Sequence, residues 1–502
     1  MVRVAFRPRK AVKIFDASFK FLSVRQGSDS LRGMNAVPNP YRSGLFAPVE
    51  GECREEALDV IAGEVPRDLF GDFVRNGSNP RFEPKGRYHW FDGDGMVHRV
   101  RFENGRAHYM RRYVETDGFK AETLEGQALW GSSTERPDFT RKDAPFKNTA
   151  NTDLAFHNGK LLALWWLSGE VYALDPHTLE TLGREEFGAG LRSISAHPKV
   201  DPRTGELLYF DYQARGDFLS TGIVSPEGKV SHHTVVPLDG PRLQHDMAFT
   251  EHFVLLFDMS MQWDPEELKK GRTKVGLRKG QPGRIGVLRR GAAGETIRWF
   301  DAAAFYMYHV IGAYEEGDTI RLVGCRIENP VADPTKAEDV PTIGFLRLEP
   351  RLHEWTLDLR TGACRERSLD DALGEFPRMD DRFGGVKFRY AAMPNIARRE
   401  ATLLFDGVDV HDLEKGTKAS HRYGEGRFGS EVVFAPRTAA GDEFDGWLVT
   451  FVVDRVSDGA EAWVLDAKDV EAGPVARLRV PGRVPVGFHA DWVPGWKLPA
   501  RP

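Results

Sequence analysis

Cysteine is scarce in this chain: Cys53, Cys325 and Cys364 are the only three in 502 residues. They are too few and too scattered for a disulfide framework or a Cys-rich zinc site, so the expected setting is a reducing, intracellular, cytoplasmic one. Long hydrophobic runs are missing too. No stretch of about 18 apolar residues occurs, which excludes a membrane-spanning helix. Nor does one sign of charge dominate: 69 basic against 74 acidic residues leave a net charge of −5. Binding a phosphate backbone needs a basic stripe, so nucleic acid is not an expected partner. Nucleotide and hydrolase signatures are absent as well: there is no Walker A loop, Rossmann fingerprint or Gly-x-Ser-x-Gly elbow. GRIGVLRRG (283–291) is too sparse in glycine to cradle phosphate.

What is present is the composition of a soluble globular protein, 41% hydrophobic and 28% charged, with length enough for a large core. Basic charge concentrates at one place. Residues 1–25 carry Arg3, Arg7, Arg9, Lys10, Lys13, Lys20 and Arg25 against the single acid Asp16. Ile14, Phe15, Phe19 and Leu22 fall there at roughly helical spacing. The unbroken apolar segment of a secretory signal is lacking. Residues 1–37 therefore read as a basic extension: an organelle-targeting segment, an amphipathic anchor on an anionic membrane, or a disordered tail.

Beyond about residue 45 the pattern is β almost throughout, with short apolar runs alternating with Gly, Asp, Asn and Pro clusters. FHNGKLLALWWLSGEVYALDPHTLETL (156–182) reads as successive hairpins, and similar units recur at 204–238 and 446–480. Units at intervals of roughly 40–50 residues predict a β-propeller. A β-sandwich array is the alternative, but no linker-like break divides the chain. Helix is expected only in segments such as DPEELKKG (264–271) and at the N-terminus.

Four histidines stand in similar settings: SAHPKVDP (His197), LQHDMAFT (His245), MYHVIGAYEEGD (His309) and GFHADWVP (His489). Each alone reads as an ordinary hydrogen-bonded histidine, and their spacings form no local metal motif. In a propeller, however, innermost strands converge on one axis, so histidines from four blades can face one atom. DGDG (92–95) with Glu103 mimics a calcium loop, yet Met96 and Val97 stand where an oxygen ligand and a glycine are needed. That segment reads as a turn in the first blade. His98 and the His232–His233 pair read as structural.

The chain resembles the carotenoid cleavage oxygenase family, which includes apocarotenoid and lignostilbene dioxygenases. The blocks that carry the resemblance run in order from residue 38 to 497. They are NPYRSGLFAPV, GEVPRDLFGDFVRNGSNPRFEP, YHWFDGDGMVHRVRF, FKNTANT, LLALWW, SAHPKVDP, QHDMAFT, AYEEGD, EFPRMDDRFGG, GSEVVFAPR and GFHADW. The resemblance implies an all-β fold over residues 38–502, a seven-bladed propeller with a loop and helix cap over the metal-bearing face. It implies His197, His245, His309 and His489 as ligands of one Fe(II) per chain, although imidazole would equally suit zinc, copper or nickel. Four neutral ligands leave two octahedral positions open. Glu375 and Glu431 are implied as carboxylates that orient histidines from behind, and Thr152 as a residue crowding an open iron position.

Several positions depart from the family pattern. Trp166, with a one-residue insertion after it, stands where a third carboxylate is usual. Glu170 lies nearby without being an evident replacement, so one histidine is expected to bond to water or a backbone carbonyl. Gly312 replaces an asparagine and Ala490 a glycine. The implied reaction is cleavage of a carotenoid or apocarotenoid double bond by O₂ to two carbonyl products. The alternative is a lignostilbene- or resveratrol-type stilbene dioxygenase, for which Tyr113 and either Lys142 or Lys147 are the residues to inspect. A propeller that only binds a lipid or a protein is the reading from another class, and four retained histidines argue against it. A polyene substrate also makes peripheral membrane contact an expectation.

Overall fold

The computed structural model describes residues 39–501, apart from 134, 136, 139, 142–143, 189–190, 271–274, 278–280 and 329–348. The basic extension 1–37 and Lys142 therefore lie outside the described residues. Antiparallel meanders make up nearly all of it. Asn-Gly pairs build two of the hairpins: Asn104–Gly105 (φ 54° and 73°) and Asn158–Gly159 (φ 48° and 71°) join strands in register Glu103↔Arg106 and His157↔Lys160. Positive φ at both turn residues matches the right-handed twist of the strands, and asparagine and glycine tolerate it best.

The meanders form seven blades. In blade 1, Gly71–Arg75, Met96–Glu103, Arg106–Tyr113 and Cys53–Ala57 run outward from the late strand Ala490–Pro494. Blade 2 comprises Asp153–His157, Lys160–Leu164, Val171–Leu174 and Thr181–Glu185; blade 3 comprises Lys199–Val200, Leu207–Tyr212, Leu219–Val224 and Val230–Val235. Blade 4 is Ala248–Phe249, Phe253–Asp258, Gly283–Arg289 and Arg298–Ala302, and blade 5 is Tyr306–Glu316, Thr319–Ile327, Arg351–Asp358 and Cys364–Leu373. Blade 6 (Tyr390–Ile396, Phe405–Asp412, Thr417–Arg422) joins blade 7 through Arg427–Gly429, which pairs with both. Blade 7 runs from Val433–Pro436 through Gly446–Asp454, Ala460–Asp466 and Pro474–Val480 to Asp59–Gly63.

Two pairings between distant parts of the chain complete the ring: Ala490–Pro494 with Gly71–Arg75, and Asp59–Gly63 with Pro474–Val480. Residues between blades are apolar and buried, as at Phe73 against Phe451, whose ring centroids lie 4.9 Å apart. Burying each such ring contributes about 1.5–3 kcal/mol, so blade order is held by side chains as much as by sheet hydrogen bonds.

Pro265–Lys269 is helical within the segment expected to be so. A second helix, Asp117–Glu125, corrects the expectation that helix is confined to that segment and the N-terminus. Thr116 caps it by accepting from Phe119 N–H, and Gly126 (φ 70°) ends it. No helix among the described residues is long and apolar enough to cross a membrane. The three cysteines are free thiols. Asp92 of the rejected calcium loop accepts from Ser132 and Ser133, and His98 pairs with Tyr109 Oη at 2.7 Å. His232 bonds the Ala292 carbonyl and His233 the Tyr209 hydroxyl, so these histidines are structural.

Candidate metal centre

All four predicted histidines enter the axis on, or just before, an innermost strand. His197 and His245 lie two and three residues before the first strands of blades 3 and 4, His309 lies in the first strand of blade 5, and His489 immediately precedes Ala490–Pro494 of blade 1. Blades deliver side chains to one axis, so residues as far apart in sequence as His197 and His489 meet there. One ring nitrogen from each lies within 4.8 Å of the others, and all four side chains are buried. His245 Nε2 and His309 Nε2 are 3.2 Å apart, while His197 Nε2 is buried with no hydrogen-bond partner. Four imidazole nitrogens converging on one point, one of them orphaned, fit a bound metal ion.

Electrostatics support the same reading. Burial, with the neighbouring histidines adding to it, pushes His197, His245 and His309 well below the ordinary imidazole range. They are therefore neutral at pH 7, which is the ligating form. Burial also opposes the charge on His489, but Glu431 outweighs it and raises that group.

Glu375 and Glu431 stand where the resemblance put them. Glu375 Oε2 accepts from His309 Nδ1 at 2.5 Å, and Glu431 Oε1 lies 3.3 Å from His489 Nδ1. A carboxylate on Nδ1 fixes the tautomer that leaves Nε2 free for the metal. Burial pushes Glu375 up to about 8, although Phe376 N–H draws it down; a bound dication would favour its ionised form.

The expectation that a histidine turns to water or a backbone carbonyl for want of a third carboxylate is corrected here. Asp153 Oδ2 lies 3.2 Å from His197 Nδ1 and accepts the His197 backbone N–H at 3.1 Å. His197 has φ +66°, a left-handed conformation that costs a non-glycine residue about 1–3 kcal/mol and persists where its surroundings hold it. Glu170 plays no part at the axis: it pairs with Arg184 at 3.4 Å and with the Asn148 amide. Trp166 instead lines a cavity beside the histidines.

That cavity is walled by Trp90, Phe91, Trp166, Tyr308, Phe376, Ile396, Leu403 and Phe488, with His245, His309 and His489 among its lining. Thr152 is on its wall, with its hydroxyl donating to Asn151 Oδ1 and accepting from Trp166 N–H. The sequence reading did not assign these aromatic residues. A signal existed, because Tyr308, Phe376 and Phe488 each adjoin an axial residue. A larger, charged cavity reaches His197, His309 and His489 past Asp153, Lys199, Asp246, Arg378, Glu431 and Asp491. Gly312 sits in a bulge where a Cβ would lie 2.9 Å from Met379 Sδ. Ala490 is buried, and its N–H donates to Glu431.

Comparison with known proteins agrees with this geometry. The family model described as retinal pigment epithelial membrane protein (RPE65) matches residues 46–494. This chain is a member of the carotenoid cleavage oxygenase family. It is 34% identical over 489 residues to a carotenoid 9,10(9',10')-cleavage dioxygenase 1 of Arabidopsis thaliana, covering 91% of this chain and 90% of that one. An isoeugenol monooxygenase of Pseudomonas nitroreducens is 31% identical over 91% of this chain and 98% of its own. Among solved structures, the lignostilbene dioxygenase of Pseudomonas brassicacearum superposes with a TM-score of 0.82 at 30% identity, covering 91% and 99% of the two chains. Such oxygenases are propellers, in agreement with the seven blades seen here, and the four histidines of this member are placed to hold the family's metal.

Proposed function

We propose that this oxygenase binds one Fe(II) through His197, His245, His309 and His489 and uses O₂ to cleave a double bond of a carotenoid or apocarotenoid into two carbonyl products. The observation that carries the reading is the apolar, aromatic-walled cavity ending on a buried four-histidine cluster. Iron, when bound, supplies the site at which O₂ is activated. The protein does the rest. The four imidazoles, backed by buried carboxylates, would hold the metal, and Thr152 would stand in the cavity beside it. Trp90, Phe91, Trp166, Phe376 and Phe488 bury the substrate, align one double bond over the cluster and keep bulk water away. Both oxygen atoms go into product, so no external reductant is needed. A water-insoluble polyene is held in membranes, and the basic segment 1–25 is suited to peripheral contact with an anionic one.

The stilbene reading draws on the lignostilbene dioxygenase likeness. Against it, the two described candidates for gripping a phenol are engaged elsewhere. Lys147 Nζ lies 2.5 Å from both Asp94 Oδ1 and Glu122 Oε2, and Tyr113 Oη accepts from Asn79 at 2.6 Å. Neither lines the cavity beside the histidines. The test is mass spectrometry of products from a panel of apocarotenals, carotenoids and stilbenes under ¹⁸O₂, with iron-loaded protein. Polyene cleavage with label in both carbonyls is expected. Turnover of stilbenes alone would favour the second reading, and inactivity on every alkene with iron bound would overturn both.

A further inference from the structure

Each blade brings one side chain to the axis, on or next to its innermost strand. Blades 3, 4, 5 and 1 place His197, His245, His309 and His489 there. Blade 7 places Glu431 just before Val433–Pro436. Blade 6 places Glu375 beside the bridge Gly374↔Asn395, where its N–H donates to the Pro394 carbonyl. The remaining blade is the second, and its innermost strand begins with Asp153. Four blades thus contribute an imidazole and three a carboxylate.

We propose that Asp153 is a positioning residue of the metal centre, the third axial carboxylate, which holds both the ring and the left-handed backbone of His197 in ligating geometry. The inference rests on the functional reading above. Trp166, where the family pattern has its carboxylate, follows the second strand of blade 2 and borders the substrate cavity; Asp153 belongs to the first strand and lies at the charged cavity. In this chain the third carboxylate thus lies at the charged cavity, and not at the apolar one that Trp166 borders.

The contacts are specific. Asp153 Oδ1 is engaged by the Leu154 N–H at 2.8 Å, which orients the carboxylate so that Oδ2 faces His197. Oδ2 then meets two atoms of His197, its backbone nitrogen and Nδ1. A carboxylate oxygen 3.2 Å from Nδ1 favours the tautomer protonated there, which leaves the lone pair on the buried, unpartnered Nε2. His197 also precedes Pro198, which further limits the backbone conformations open to it. Apart from the ring contacts with the other three histidines, Oδ2 is the side-chain group that meets both the ring and the backbone N–H of His197 at φ +66°.

Anaerobic chelator competition for Fe(II), with the visible spectrum of the Co(II)-substituted protein as a probe of ligand geometry, tests this on the full chain. Asp153→Asn keeps the shape and an oxygen acceptor for the backbone N–H but loses the charge. It should weaken iron binding about 10–100-fold and alter the Co(II) spectrum, while the melting curve of the metal-free protein stays close to wild type. Asp153→Glu, which restores the charge, should recover part of the affinity, and Glu170→Gln should bind iron as wild type does. Wild-type affinity and spectrum in Asp153→Asn would overturn the assignment, as would an equal loss in Asp153→Glu and Asp153→Asn. A wild-type protein that binds no iron would instead overturn the functional reading beneath it.

Discussion

Among the described residues, two clusters of histidine or acidic side chains have the donor atoms of a metal site, and they are not alike. One is the axial four-histidine cluster; the other is Asp370, Asp409 and His411 in blades 5 and 6. In the second, a cation is already built in. Lys418 Nζ lies 2.6 Å from Asp370 Oδ2 and 3.1 Å from Asp409 Oδ2, and His411 Nε2 lies 2.9 Å from the same Asp370 oxygen. The carboxylates' charge is met within the protein, although His411 Nδ1 is buried without a partner. At the axis no side-chain cation stands among the four ring nitrogens, and the outer nitrogens of His309, His489 and His197 face Glu375, Glu431 and Asp153. What separates a metal centre from an ion-pair network is therefore unmet ligand atoms backed by negative charge. The number of histidines and acids alone does not decide it.

Substitutions at the two places should behave differently. The largest effect is expected from His309→Ala, which removes a ligand. Iron content by elemental analysis should fall to background, and cleavage activity should fall by more than the roughly 100-fold that loss of an outer partner costs. Retained iron and turnover would make the axis no better a metal site than the blade 5–6 cluster. Glu375→Gln comes next. It leaves the ligand in place but weakens its orientation, so chelator competition should show iron affinity lowered by about 10–100-fold, with a matching loss of activity at limiting iron. At the other cluster, Lys418→Met should cost about 1–3 kcal/mol of stability by leaving Asp409 buried without its cation. Iron content and the kinetics of the iron-loaded protein should not change. A bound second metal in that variant would show that the lysine is all that separates the two clusters.

The difference between the clusters was legible in the sequence only in part. The four histidines and two glutamates lie in blocks whose order carries the family likeness, and the Asn-Gly pairs announce the hairpins that bring them together. Asp153 was hidden. It sits beside Thr152 within the matched region, and only the equivalence of innermost strands, which needs blade register, shows that it faces the axis. The helix Asp117–Glu125 has its start and stop signals in TDGFKAETLEG, yet buries only Phe119 and Glu122. Without an apolar stripe, periodicity does not reveal it. The substrate cavity was illegible for a related reason: its aromatic walls come from loops of several blades, and only the closed ring sets them side by side.

The smallest effect concerns acid. Burial raises the Asp370 carboxyl, but Lys418, the Ala372 N–H and His411 outweigh it and hold the group well below the usual carboxylate range. A carboxyl whose folded pKa is depressed adds stability that is fully present above its unfolded pKa, about 3.9. That contribution is lost as pH falls toward the folded value. Asp370→Asn should therefore lower Tm at pH 7 by no more than about 2–4 °C, because the site is partly open to solvent and screened. The gap from wild type should narrow below about pH 4, where the wild-type carboxyl begins to lose its advantage. Thermal melts of both proteins between pH 3 and 7 measure this directly. A gap that stayed constant with pH would mean that packing, and not the Lys418 ion pair, holds this cluster together. Its contrast with the metal axis would then no longer rest on charge.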